Sequence, residues 1–170
     1  MSAVMNMAKA NKAGANKTNA VRLVEQAGIS CREDFYEYTE KDLSGTHAAD
    51  SMGMNPEQVF KTLVARGERT GINVFCIPCC CELDLKKAAK AAGDKNMAMV
   101  AVKDLLGLTG YIRGGCSPVG MKKKYPTFLD ETCILWEEIA VSAGERGHQM
   151  MVPPEALAEL VSAQMVDLTI

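Results

Sequence analysis

The sequence predicts a mixed α+β fold, with a mixed, mainly antiparallel sheet and helices packed around it. Three observations carry this expectation. β-type runs come in pairs joined by short polar loops. Helical stretches bracketed by capping residues and glycines lie between them. The two kinds of segment do not alternate strictly, which argues against a doubly wound parallel sheet. With 170 residues, 48% of them hydrophobic, the chain can bury a sizeable core. No internal repeat or long linker divides it, so residues 17–170 are read as one domain.

Taken in order, residues 1–16 carry Lys9 and Lys12 but no acid and no periodicity, and are read as a flexible N-terminal arm. Thr18 can cap a helix whose apolar stripe is Val21, Leu23, Val24 and Ala27, with Gly28 as the stop. A short strand is expected over 35–38, then a helix from Thr46 to Gly53, then a turn at Asn55-Pro56. The runs 59–65 and 72–77 form a hairpin around the polar loop 66–71. Asp84 should cap a helix over 85–92 that ends at Gly93. Short strands are expected over 97–101 and 110–113, and an extended run over 125–129. A second hairpin pairs 138–142 with 149–152. Pro154 suits the first turn of a last helix over 155–164.

Composition narrows the function. A formal net charge of −2 is not that of a protein coating long duplexes, so DNA is not an expected partner and nucleic-acid contact should be a small patch. No run approaches the roughly 18 apolar residues of a membrane span, and the N-terminus lacks the apolar stretch of a secretory signal. A cytoplasmic protein without a membrane partner is therefore expected. Seven cysteines, three of them adjacent at Cys79, Cys80 and Cys81, do not form a disulfide framework pattern. Cys76-Ile77-Pro78-Cys79 superficially resembles a redox motif. Yet the helix cap is Asp84, so Cys79 would miss the helix dipole that lowers a thiol pKa. Cys31, Cys116 and Cys133 are too scattered to complete a zinc site. The thiols are read as small buried hydrophobes, and neither a metal nor a cofactor is expected.

Two features carry chemistry. In Val59-Phe60-Lys61-Thr62-Leu63-Val64-Ala65, alternation puts Lys61 on the face of Val59, Leu63 and Ala65. A lysine there either snorkels to water from an edge strand or faces a cavity that holds an anion. The stretch from Gly110 to Gly120 places four glycines in eleven residues, so its backbone can turn sharply and approach a ligand. It has neither the lysine of a phosphate-binding P-loop nor the setting of a dinucleotide fingerprint. A plain turn explains it equally well. Lys122, Lys123 and Lys124 follow it, and Arg113 lies within it; they form either a solvated face or a cluster for a short phosphate chain. His47 and His148 are the only histidines, and no Ser-His-Asp set is recognisable.

In this order the segments resemble the bacterial YbaK/EbsC family of aminoacyl-tRNA deacylases, relatives of the editing domain of bacterial prolyl-tRNA synthetases. The resemblance runs from Lys17 to about Leu168. It rests on Lys17-Thr18-Asn19, Asn55-Pro56 through Lys61-Thr62-Leu63, Leu83-Asp84-Leu85-Lys86-Lys87, Thr109-Gly110-Tyr111, Gly114-Gly115-Cys116-Ser117-Pro118-Val119-Gly120 and Ser142-Ala143-Gly144-Glu145-Arg146-Gly147. It implies a barrel-like sheet surrounded by helices. It also implies trans-editing removal of a mischarged amino acid, typically cysteine from tRNA(Pro), with no cofactor. Alternatives are another substrate such as Ala-tRNA(Pro), or a non-catalytic module binding tRNA or a synthetase.

By the same resemblance Lys61 is the catalytic lysine, and Gly114 and Gly115 line the site, their N–H groups receiving the substrate's polar atoms. Tyr36, Thr62, Ser117 and Ser142 match substrate-binding positions. The implied partners are the acceptor end of aminoacyl-tRNA and a prolyl-tRNA synthetase. The implied chemistry is attack of the substrate cysteine's own thiol on its ester, with water as the alternative nucleophile. Gln149 departs from the pattern, since the family carries an aspartate after the Arg-Gly turn, and Cys81 stands where glycine is more usual.

Overall fold

Two sheets make up the framework of the computed structural model, which describes residues 17–170. The arm expected over 1–16 lies outside the described residues. In chain order the elements are α1 (Asn19–Gln26), β1 (Arg32–Phe35), α2 (Gly45–Met52), β2 (Phe60–Gly67), β3 (Gly71–Pro78), α3 (Leu85–Ala92), β4 (Met97–Met99), α4 (Val102–Thr109), β5 (Thr127–Asp130), β6 (Ile139–Glu145), β7 (His148–Val152), α5 (Pro154–Val161) and β8 (Gln164–Val166). Single 3-10 turns precede β2 and follow β5.

One sheet has the order β1-β7-β6 and is antiparallel throughout. The other has the order β4-β2-β3-β5-β8; its first two pairings are antiparallel and its last two parallel. The mixed, mainly antiparallel expectation therefore holds. The barrel-like closure does not, because the described strands form two sheets joined by a single parallel bridge, Val59 to Ala140.

Local chemistry explains most of the boundaries. Thr18 Oγ1 accepts from Val21 N–H at the start of α1, and the Asp84 carboxylate accepts from Lys86 and Lys87 N–H at the start of α3. Gly93 ends α3 in the left-handed region at φ +73°. Ser44 caps α2 through His47 N–H, so the helix begins at Gly45, one residue before the expected start. The main core packs α1 and α5 against β6 and β7 through Val21, Val24, Val141, Met150 and Leu157. A second cluster seats α3 on β2 and β3 through Ala88, Ala89, Phe75 and Ile77.

Both expected hairpins are present. Asp94 holds the turn of the first, accepting from Thr70 N–H at 2.8 Å, Thr70 Oγ1 at 2.7 Å, Arg69 N–H at 3.1 Å and Lys95 N–H at 2.7 Å. The Thr70 backbone and hydroxyl bonds, in that order, hold the Asp94 carboxyl well below the usual carboxylate range. A depressed folded pKa stabilises the fold above the unfolded value of about 3.9, and that contribution is lost as pH falls below it. Asp94→Asn should therefore lower the urea midpoint at pH 7 and flatten its decline between pH 5 and pH 2. Parallel pH profiles for the two proteins would contradict this role.

Several expectations are corrected. The strand over 110–113 is a loop, because Val102–Thr109 instead forms α4 and Gly110 terminates it at φ +85°. The strand over 35–38 lies earlier, at Arg32–Phe35, where it pairs with β7. The last helix stops at Val161, Ser162 turns left-handed at φ 54°, and Gln164 enters β8 beside β5.

Candidate functional site

The gap between the two sheets frames a cavity of about 450 Å³. Its position follows from how β2 is paired. β3 runs along the whole of β2, but β4 reaches only Ala65–Gly67, and Val100 N–H adds one bond to Val64 O. At the other end Val59 bridges Ala140 of β6. The stretch 60–63 is left as an open edge between these contacts, and it borders the cavity. The two readings of Lys61 thus meet in one place: the strand is an edge there, and the edge faces a cavity.

Lys61 is half-buried in the cavity wall, and no carboxylate among the described residues pairs with it. Thr62 lines the wall too, its hydroxyl 3.7 Å from the Cys76 thiol. Tyr36 reaches the cavity from the segment after β1, where its N–H donates to Gly147 O at 3.0 Å. Its ring meets the His47 imidazole edge-on at 6.1 Å. Burial raises the Tyr36 phenol pKa, against a hydrogen-bonding contact with the Gln149 side chain. Ser142 lies on β6 directly across from Gln149 of β7, and both line the cavity. Ser142 Oγ accepts from Gly144 N–H at 3.1 Å.

The glycine loop is split between wall and support. Gly114 lines the cavity in the left-handed region at φ +86°. Gly115 is buried behind it, where an added Cβ would lie 3.1 Å from the Glu145–Arg146 backbone. Its N–H donates to Ile112 O at 3.0 Å, so it is engaged within the loop and not presented to a ligand. Ser117 is fully buried, and its hydroxyl accepts from Val119 N–H at 3.2 Å. Gly115 and Ser117 therefore hold the loop in shape, which sequence spacing does not reveal. Arg146 ties the loop to the β6–β7 turn by donating through Nε to Arg113 O at 2.9 Å.

The charges at the cavity differ from the expected cluster. Lys122–Lys124 are exposed and absent from its lining; the Lys122 stem covers Gly110 at the C-terminus of α4, the negative end of that helix. Among the described residues the cations at the cavity are Lys41, Lys61 and Arg113. Its one acid, Asp42, is occupied by the Ser44 hydroxyl at 2.6 Å and Ser44 N–H at 3.1 Å, and these bonds hold its carboxyl below the ordinary range. Of the expected cation cluster only Arg113 lines the cavity, and Lys41 carried too little local signal to be singled out, since the segments 36–44 and 110–116 meet only in the folded chain.

Two thiols also reach the wall, Cys79 and Cys116. Burial pushes Cys79 up to about 11, against the nearby Lys61 charge, and pushes Cys116 up to about 12. Neither is a thiolate near neutral pH, so neither is poised as a nucleophile. Cys76, the first cysteine of the redox-like motif, is fully buried and pushed up to about 12. All seven cysteines are free thiols. Among the described residues no group of three metal-ligating side chains converges, and no helix is long and apolar enough to cross a membrane.

A family model described as the aminoacyl-tRNA editing domain matches residues 43–160, which contain the β2 lysine, the glycine loop and the Ser142–Gln149 pair. The chain is 47% identical over 160 residues to EbsC of Enterococcus faecalis, named as a candidate Cys-tRNA(Pro)/Cys-tRNA(Cys) deacylase; the match covers 94% of this chain and 98% of that protein. It is 26% identical over 118 residues to the proline–tRNA ligase of Brachyspira hyodysenteriae, covering 64% of this chain and 20% of the ligase. A crystal structure described as a candidate trans-editing enzyme for prolyl tRNA synthetase superposes with a TM-score of 0.75 at 26% identity, over 91% of this chain and 99% of that one. With two thirds of its length matched by the family model and a near full-length relative at this identity, the chain belongs to the aminoacyl-tRNA editing domain family.

Proposed function

We propose that this protein is a trans-editing deacylase that removes cysteine from mischarged tRNA(Pro), using residues 17–170 as one editing domain. The observation that carries the reading is the half-buried Lys61, without a carboxylate partner among the described residues, in a cavity whose other cations are Lys41 and Arg113. Such a cavity attracts the phosphate-bearing acceptor end of tRNA, and the modest overall charge limits contact to that end.

The cavity offers placement and electrostatics in preference to a nucleophile. Its own thiols are held protonated by burial, so the substrate supplies the attacking group. The thiol sulfur of the esterified cysteine attacks its carbonyl carbon, and the bond to the ribose oxygen breaks. The thiol proton passes to the departing ribose oxygen, which leaves as a hydroxyl, and a cyclic thiolactone is released. Lys61 stabilises the negative charge that develops on oxygen. Thr62, Tyr36 and Ser142 shape the pocket around the aminoacyl group, and Gly114 brings backbone close to it. Gly115 and Ser117 support that loop from behind. Substrates without a thiol are left to attack by water.

Incubation with Cys-tRNA(Pro), Ala-tRNA(Pro) and Pro-tRNA(Pro) tests the assignment. Cys-tRNA(Pro) should lose its amino acid well above the buffer rate, while Pro-tRNA(Pro) survives. Faster loss from Ala-tRNA(Pro) would move the specificity to alanine. Buffer-level half-lives for all three would leave a binding module. Prolyl-tRNA synthetase is the proposed partner, supported by the similarity to a trans-editing enzyme for that synthetase. Its addition should sharpen selectivity for tRNA(Pro).

A further inference from the structure

Gln149 is 6% exposed, yet its side chain forms part of the cavity wall between Tyr36 and Ser142. The amide lies near the Tyr36 phenol and acts to lower its pKa, against the larger effect of burial. The amide oxygen, Oε1, is buried and has no hydrogen-bond partner among the described residues. A buried amide oxygen left unpaired is costly, and native proteins rarely keep one without a reason. The other such atom, Asn73 Oδ1, belongs to the β2–β3 hairpin and is not in the cavity wall; the Asn73 amide nitrogen is tied to Thr70 and Gly71. Of the two, only Gln149 belongs to the residues that line the cavity.

We infer that Gln149 Oε1 accepts a hydrogen bond from the α-amino group of the esterified amino acid, fixing the aminoacyl end in the cavity. The inference rests on the deacylase reading and adds a specific contact to it. An aminoacyl ester brings three kinds of donor: the ribose hydroxyls, the α-amine and, for cysteine, a thiol. The ribose and its phosphate belong with the exposed cations Lys41 and Arg113. A thiol is a weak donor, whereas an amine donates well and, when protonated, gives a charge-assisted bond. The amide supplies this acceptor without placing a negative charge beside Lys61.

The test compares Cys-tRNA(Pro) with tRNA(Pro) carrying 3-mercaptopropionate, which keeps the ester and the thiol but lacks the amine. Each rate is divided by the buffer hydrolysis rate of the same ester, so that intrinsic ester reactivity cancels. For the unaltered protein, removing the amine should lower the enhancement about ten- to a hundredfold, the range of one hydrogen bond to a charged group. Gln149→Met, an apolar side chain of similar length, should show a similar loss on Cys-tRNA(Pro). On the mercaptopropionyl ester it should match the unaltered protein within about twofold. Equal enhancement of both esters by the unaltered protein would overturn the inference, whatever the variant does. So would proportionate losses on both esters for a Gln149→Met protein with an unchanged unfolding midpoint. Failure of the unaltered protein to act on Cys-tRNA(Pro) at all would instead remove the deacylase reading, and this contact with it.

Discussion

Lys61→Ala is expected to lower deacylation of Cys-tRNA(Pro) by about 10²- to 10³-fold, the range for losing one preorganised electrostatic contact to a developing oxyanion. The fold should tolerate the change. Truncating one member of a buried ion pair is destabilising because it strands the other charge. Lys61 leaves no such partner behind among the described residues. Its backbone lies in the β2–β3 ladder opposite Ile77, and the substitution leaves that pairing unaltered. The unfolding midpoint should therefore move little, and single-turnover deacylation should carry the effect. Lys61→Met, which keeps the apolar stem, should be as inactive as the alanine variant. Lys61→Arg restores charge in a planar fork of different reach and should recover only part of the rate. A Lys61→Ala protein within about threefold of the unaltered rate would remove Lys61 from the chemistry.

Gly114→Val should damage activity and stability together. Gly114 occupies φ +86°, a region where a β-branched side chain is strained by about 1–3 kcal/mol. An added Cβ would also stand 3.2 Å from Leu43 Cβ and 3.5 Å from Arg146 Cγ, so the loop must shift away from both. Leu43 and Gly114 are neighbours in the cavity lining, and displacement by about 1 Å at such a wall can cost about a hundredfold in rate. A lowered urea midpoint with at least this loss in kcat/KM is the expected result. Gly114→Ala should fall between the two proteins. Full activity in a folded Gly114→Val variant would place the glycine loop outside the site.

The site was partly legible before folding. Lys61 stood out because a cation on the apolar face of a strand needs a reason, and the family resemblance supplied one. Tyr36, Thr62, Gly114 and Ser142 do border the same cavity as Lys61. The family resemblance implies that Gly115 lines the site and that Ser117 binds substrate. In the folded chain, the Gly115 N–H turns back onto Ile112 and the Ser117 hydroxyl onto Val119. Lys122–Lys124 drew attention as a run, whereas the cations at the cavity are the scattered Lys41, Lys61 and Arg113. Gln149 was noted only as a departure from the family pattern; its unpaired oxygen is a property of its surroundings.

The sequence by itself determined what depends on a few neighbouring residues: the Thr18 and Asp84 caps, the left-handed Gly93, the two hairpins and the alternation that set Lys61 apart. These follow from backbone hydrogen bonds and side-chain periods that operate within a turn or a strand. Tertiary structure alone decided the parallel pairing of β3, β5 and β8, the short reach of β4 and the open edge at 60–63. It also decided which polar groups in the glycine loop are consumed internally and which acceptor is left for a substrate. Those outcomes depend on segments far apart in the chain competing for the same hydrogen bonds and the same space, and no local pattern records who wins.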